Sequence, residues 1–201
     1  MPIIGSLAGA SSRGLGGLYY SILEISSSFD SIDSAVATSN QLAFEFTSIP
    51  NTYKHLRLHI TARSTRGFSN GDLISLKFND SSSGYYDYTM YGSNVTSDVA
   101  LDNNFNAQDH IDIRRVPGST ADANMYAGFI IDIMDYASSS KVKSLISKGG
   151  VAAQLGQESN QAAFVGAWWN STTAINKISV RLSYGENFVA GSSVSLYGLK
   201  G

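Results

Sequence analysis

The sequence predicts an all-β fold, an antiparallel β-sandwich preceded by an extended glycine-rich N-terminal arm. Three observations predict it. Apolar residues recur with a period of two in most segments beyond residue 20. Clusters of Gly, Ser, Asn and Asp punctuate those segments. No long stretch keeps the 3.6-residue spacing of an amphipathic helix.

The arm comes first. Gly5, Gly9, Gly14, Gly16 and Gly17 lie among Ser, Ala and Leu, and Arg13 is the lone charge before residue 20. Glycine at that density costs too much backbone entropy for a helix and leaves few side chains to pair as a strand. Residues 1–30 therefore read as an arm and lead-in segment, expected to dock on a neighbouring subunit. Ile3, Ile4, Leu7, Arg13, Leu15 and Leu18 are its expected contacts. Residues 31–201 read as one sandwich domain, a size common for a single all-β unit.

Within the sandwich, Leu42, Phe44 and Phe46 alternate with Ala43, Glu45 and Thr47. Leu56, Leu58, Ile60 and Ala62 alternate with His55, Arg57, His59, Thr61 and Arg63, the clearest half-buried strand in the chain. Ile74, Leu76 and Phe78 follow, with Ser75 and Lys77 facing out. Further strands are expected over Tyr85 to Tyr91, Ile111–Val116 (ended by Pro117-Gly118), Met125–Tyr136, Val142–Ser147, Ala162–Trp169, Ile175–Ser183 and Val194–Leu199. Residues 94–109 read as room for one short helical turn. The joins are read at Ser69-Asn70-Gly71-Asp72, Asn79-Asp80-Ser81-Ser82-Ser83-Gly84, Gly149-Gly150 and Ala190-Gly191-Ser192. Eight to ten strands with polar turns point to a sandwich or jelly roll.

Composition narrows the function. Only 15% of residues are charged, against roughly 25% in ordinary soluble domains. The net charge is −2 and the longest basic cluster is the pair Arg114-Arg115. Nucleic-acid binding and attachment to anionic lipid both need a basic stripe, so neither partner is expected. There are no cysteines, which excludes disulfides, thiolate metal sites and cysteine nucleophiles. The opening residues lack the basic region of a signal peptide, and no run approaches the ~20 apolar residues of a membrane span.

A search for chemistry yields no catalytic, cofactor or metal residues. His55 and His59 lie on one strand about 13 Å apart at ~3.3 Å per residue, too far to share an ion. Asp109, His110 and Asp112 suggest a surface ion pair, because residues two apart share a strand face. Asn79, Asp80 and Asp87 do not follow the ligand spacing of an EF-hand and read as turn chemistry. Gly14-Leu15-Gly16-Gly17 lacks the Lys-Ser/Thr of a phosphate loop. The aromatics are more telling. Trp168 and Trp169 are adjacent, so one faces the core and the other faces out. Tyr85, Tyr86, Tyr88 and Trp169 are the expected exposed contacts, the kind of side chain that anchors interfaces.

The last third of the chain carries a recurrent pattern. It runs Gly166-Ala167-Trp168-Trp169-Asn170-Ser171-Thr172-Thr173-Ala174-Ile175, then Asn187-Phe188-Val189-Ala190-Gly191-Ser192, then Val194-Ser195-Leu196-Tyr197-Gly198-Leu199-Lys200. Phe46-Thr47-Ser48-Ile49-Pro50, Tyr53-Lys54-His55-Leu56-Arg57-Leu58, Leu76-Lys77-Phe78-Asn79 and Ile131-Asp132-Ile133-Met134-Asp135-Tyr136 extend it toward the front. Over residues 40–200 this resembles small virion proteins of tailed bacteriophages, especially those of cyanobacteria and marine bacteria. The pattern departs from theirs in Leu199, where Ile is usual, and in the extra Trp169. The resemblance implies a jelly-roll-like sandwich with a structural role and carries over no catalytic residue. It implies a capsid decoration (cement) protein binding the major capsid protein or other virion subunits, expected as a homotrimer. Such a protein is assembled in the host bacterial cytoplasm and resides in the virion. A tail or fibre-associated protein, with receptor or carbohydrate binding, is the alternative; a free carbohydrate-binding module and an enzyme rank below both.

Overall fold

A computed structural model describes residues 28–68, 71–93, 100–151 and 160–201. The expected arm contacts, Ile3 to Leu18, lie outside the described residues. Twelve strands and no helix are found among the described ones. They are β1 (Phe29–Val36), β2 (Ala43–Phe46), β3 (His55–Ala62), β4 (Asp72–Phe78), β5 (Tyr85–Ser93), β6 (Ala100–Gln108), β7 (Ile111–Val116), β8 (Ala127–Met134), β9 (Lys143–Val151), β10 (Gln161–Trp169), β11 (Ile178–Leu182) and β12 (Ser193–Leu199).

Two antiparallel sheets form a sandwich. The larger runs β1-β12-β3-β8-β9-β10-β5-β6 and the smaller β2-β11-β4-β7. Alternation decides which side chains meet between them. Leu56, Leu58 and Ile60 of β3, Ile131 and Ile133 of β8, and Val194 and Leu196 of β12 point inward from the large sheet. Phe44 and Phe46 of β2, Ile74, Leu76 and Phe78 of β4, and Ile178 and Val180 of β11 meet them from the small one. Full burial of each such side chain stabilises by about 1.5–3 kcal/mol. Just past β8, the buried Tyr136 hydroxyl donates to the Pro50 carbonyl and so pins the segment leading into β3.

Several expectations are corrected. Of the stretch 94–109 read as room for a helical turn, residues 94–99 lie outside the described residues, and residues 100–108 form β6, an edge strand paired antiparallel with β5. Its Asp- and Asn-rich sequence has weak preference for either state, and pairing with β5 decides. Gly149-Gly150 is not a turn but lies inside β9, paired with β8 and β10, and a Cβ at Gly149 would collide there with the Gly128 carbonyl and the Phe129 ring. Leu42 precedes β2 and is exposed. Ser75, expected outside, is buried between its cross-strand neighbours Arg181 and Asp112. β1 begins at Phe29, inside the segment read as lead-in.

At the β4–β5 connection, Asn79 and Asp80 both have positive φ, 51° and 55°, and the Ser81 N–H donates to the Phe78 carbonyl at 3.0 Å. Asn and Asp tolerate the left-handed region that this two-residue turn needs, and the chain then crosses from the small sheet to the large one.

Candidate functional site

The aromatic residues are distributed by the register of β5 and β10. Tyr85 pairs with Trp169, and Tyr86 with Trp168. Inside the sandwich, Trp169 stacks on Tyr85 with ring centroids 5.9 Å apart, and both pack against Phe78. Outside, Trp168 is held between Tyr86 at 5.0 Å and Tyr88 at 5.6 Å, all nearly parallel. Tyr86 and Tyr88 thus keep their expected outward positions, while Tyr85 and Trp169 do not. Tyr85 is fully buried and Trp169 nearly so. The reason is strand parity: Val165, Ala167 and Trp169 share the inward face of β10, so Trp168 is the outward tryptophan.

Around this trio the outer face of β9, β10 and β5, with Leu101 of β6 beside it, is largely apolar. Ile146, Phe164, Tyr88, Met90 and Leu101 are all more than 40% exposed. Lys148 is the one charged residue among the outward positions of β9, β10 and β5. Sequence reasoning missed Ile146, Phe164, Met90, Leu101 and Trp168. The available signal was that Ala162–Trp169 is apolar at nearly every position, where a solvated strand would alternate. Soluble monomers seldom leave such a face uncovered, and large exposed apolar patches mark sites of association.

A second, polar site lies on the small sheet. A cleft of about 300 Å³ is lined by Leu42, Ser75, Lys77, Asp109, His110 and Arg181, among others. His110 is held by two carboxylates, Nδ1 to Asp109 at 2.6 Å and Nε2 to Asp112 at 3.2 Å. The hydrogen bond to Asp112 is the main cause that pushes the His110 pKa above the ordinary histidine value. Ser183 donates its hydroxyl to Asp112 at 2.5 Å, not to the imidazole. Both ring nitrogens are engaged by carboxylates, so the partner of this serine is a carboxylate and not the imidazole.

Elsewhere, buried cations serve structure. Arg63 donates to the carbonyls of Ala121 at 2.9 Å, Asp122 at 2.7 Å and Met125 at 3.3 Å. Lys143 donates to Ser138, to Lys141 at 2.8 Å and to Thr172 at 3.2 Å. The Asn79 side chain accepts from the Asn176 and Lys177 backbone and donates to Ala174, while Asp80 pairs with Lys177. Their polar atoms are thus turned to the protein itself. Among the described residues no group of three or more His, Asp or Glu is arranged to hold a metal ion. His55 and His59 go separate ways: His55 Nδ1 accepts from the Asp135 N–H at 3.0 Å, while His59 packs on Tyr197.

What the described surface offers most distinctly is an apolar, aromatic sheet face. No protein-family model matches this chain, and no curated protein matches it either.

Proposed function

We propose that this chain is a structural, non-enzymatic protein of a tailed-phage virion, a jelly-roll decoration protein that binds capsid subunits and stabilises the head. The observation that carries the reading is the uncovered, largely apolar face of β9, β10 and β5, a surface suited to subunit contact. The resemblance of residues 40–200 to small virion proteins gives that contact its setting. Strand order supports the jelly-roll reading. Set aside β9-β10 and β5-β6, and the remaining eight strands are ordered β1-β12-β3-β8 against β2-β11-β4-β7. Consecutive members of this set change sheets at every step except β4 to β7. Such a path is the one expected of a jelly roll, two four-stranded sheets wound together. The two additional hairpin partners, β9-β10 and β5-β6, widen one sheet and carry the apolar face.

The Tyr86–Trp168–Tyr88 stack favours a second reading, a tail or fibre protein that touches a receptor. A sugar platform needs a free ring face, and the stack covers only the faces that meet Trp168, which leaves the outer faces of Tyr86 and Tyr88 for such a contact. The experiment is to count copies of the chain per purified particle by quantitative mass spectrometry against the major capsid protein. Hundreds of copies are expected for a decoration protein. A few dozen or fewer would move the chain to the tail, and absence from particles would overturn the virion reading.

A further inference from the structure

At β1, β12 and β3 the outer face of the large sheet carries a different chemistry from its apolar part. Register sets Tyr197 of β12 opposite Arg57 of β3, and Asp132 of β8 opposite Arg57 on its other side. His59 stands two residues further along β3, and Phe29 opens β1. Phe29, Arg57, His59 and Tyr197 line a depression of about 310 Å³. Ligand sites run from roughly 300 to 1,000 Å³, so this one has room for a single small ring.

Side-chain contacts hold these groups in place. Arg57 donates from Nε and Nη2 to the two Asp132 oxygens at 2.5 and 2.8 Å, and its guanidinium carbon lies 5.0 Å from the Phe29 ring centroid. The His59 and Tyr197 rings meet at 5.0 Å, tilted by 55°. A guanidinium fork already fixed by a carboxylate has little rotamer freedom left to lose on binding. The hydrogen-bonding capacity, by contrast, is unspent. Among the described residues, Arg57 Nη1, both His59 ring nitrogens and the Tyr197 hydroxyl have no hydrogen-bond partner. The cleft on the small sheet, nearly equal in volume at about 300 Å³, is the opposite case. There Lys77, His110, Arg181 and Ser183 all bond to carboxylates of the protein itself.

Charge and surface decide which ligand fits. Asp132 cancels the Arg57 charge in place, so a phosphate or a free carboxylate gains little there. What remains is aromatic surface for apolar contact, N–H and O–H donors, and an imidazole that donates and accepts. That combination matches a ring with an apolar C–H face and a rim of hydroxyls. We infer that this depression binds one pyranose unit of a glycan. Its C–H face lies against the Phe29 and Tyr197 rings, and its hydroxyls bond to Arg57 Nη1, the His59 ring and the Tyr197 hydroxyl. An aromatic peptide side chain would cover the same rings but leave those polar groups unmatched, at a cost in desolvation. The site is separate from the Tyr86–Trp168–Tyr88 stack, which lies on β5 and β10. It rests on neither reading of the particle role, since the free chain is the binding species.

The test is an NMR titration of the isotope-labelled full chain with the methyl glycosides of glucose, galactose, mannose and N-acetylglucosamine. Each is taken to about 20 mM, enough to fill the millimolar site expected for so small a ligand. At least one glycoside should shift the amide signals of residues 57–59 and 195–199 in a saturable way. His59→Ala and Tyr197→Phe should each weaken that binding by about threefold or more, the loss of one hydrogen bond. Both variants should keep the melting temperature, because His59 is exposed and Tyr197→Phe retains the ring. Weaker binding then cannot be attributed to misfolding. Three results would each overturn the inference: no glycoside binds, both variants bind as the wild type does, or the shifts centre on other strands. So would N-acetyltyrosinamide binding at these residues more tightly than every glycoside, which would make the site a peptide contact.

Discussion

Trp169 lies flat against Tyr85 in the core, with an interplanar angle of 17°, and the Tyr85 hydroxyl reaches on to the backbone of Phe78. One residue earlier, Trp168 occupies the opposite side of the same sheet. Two adjacent tryptophans therefore perform different tasks, one in packing and one at the surface. Trp169→Ala should cost about 3–5 kcal/mol, the range for emptying a large aromatic site in a core. Trp168→Ala should cost under about 1 kcal/mol, as changes at surface positions usually do. Urea unfolding of both variants checks this, and equal losses would show that the outward stack is a structural element in its own right.

The Tyr85 hydroxyl accepts from the Phe78 N–H at 2.8 Å and donates to the Phe78 carbonyl at 3.1 Å. One side chain thus satisfies both backbone groups at the end of β4, where the chain leaves the sheet for its turn. Tyr85→Phe keeps the ring but strands the buried Phe78 N–H, while the Phe78 carbonyl keeps its bond from the Ser81 N–H. A loss of about 1–3 kcal/mol is expected, the usual penalty for a buried polar group left unpaired. A loss near zero would mean that water enters and replaces the hydroxyl.

Arg63 and Lys143 are buried cations whose described hydrogen bonds all go to backbone carbonyls. Each gathers the carbonyls of an irregular segment, 119–125 for Arg63 and 138–141 with Thr172 for Lys143. These segments have no ladder of their own, so the cation supplies the donors that a partner strand would otherwise give. Burial pushes the Lys143 pKa below the ordinary lysine value. Lys143→Met and Arg63→Met should each destabilise by about 2–3 kcal/mol. Limited proteolysis should then cut first within 119–125 or 138–141 respectively; cleavage elsewhere would contradict the assignment.

How much of this was legible in the sequence follows from side-chain parity. Strand β3 was fully readable, because Leu56, Leu58 and Ile60 alternate with charged and polar partners that cannot be buried cheaply. Strands β5 and β10 were visible as strands, yet their inward faces were not, because Tyr85 and Tyr86, or Trp168 and Trp169, are equally apolar choices. Strand β6 was missed because its Asp and Asn residues carry no period at all, and only pairing with β5 makes it a strand. The cages around Arg63 and Lys143 join residues 56 or more and up to 29 positions apart, respectively, and no local pattern encodes them. The alignment of Gly128, Gly150, Ala162 and Gly92 in one cross-strand row was hidden for a related reason, since only register sets them side by side.

His110 makes the stability of the fold depend on pH. His110 sits between Asp109 and Asp112, and its pKa in the folded chain is raised, chiefly by the hydrogen bond to Asp112. In the unfolded chain it returns to about 6.5. The folded state therefore holds the proton more tightly, and the resulting stabilisation is complete below pH 6.5 and lost as pH rises through the raised folded value. Asp109 is shifted the other way, below the usual carboxylate range, mainly by Lys77 at 2.8 Å, so it stays ionised in mildly acidic solution. His110→Gln retains a polar side chain but cannot become a cation. The stability difference between wild type and this variant should be largest near pH 5.5 and shrink steadily toward pH 9, measured by urea unfolding at each pH. A difference that is flat with pH, or that grows on the alkaline side, would show that His110 acts through packing alone and not through its charge.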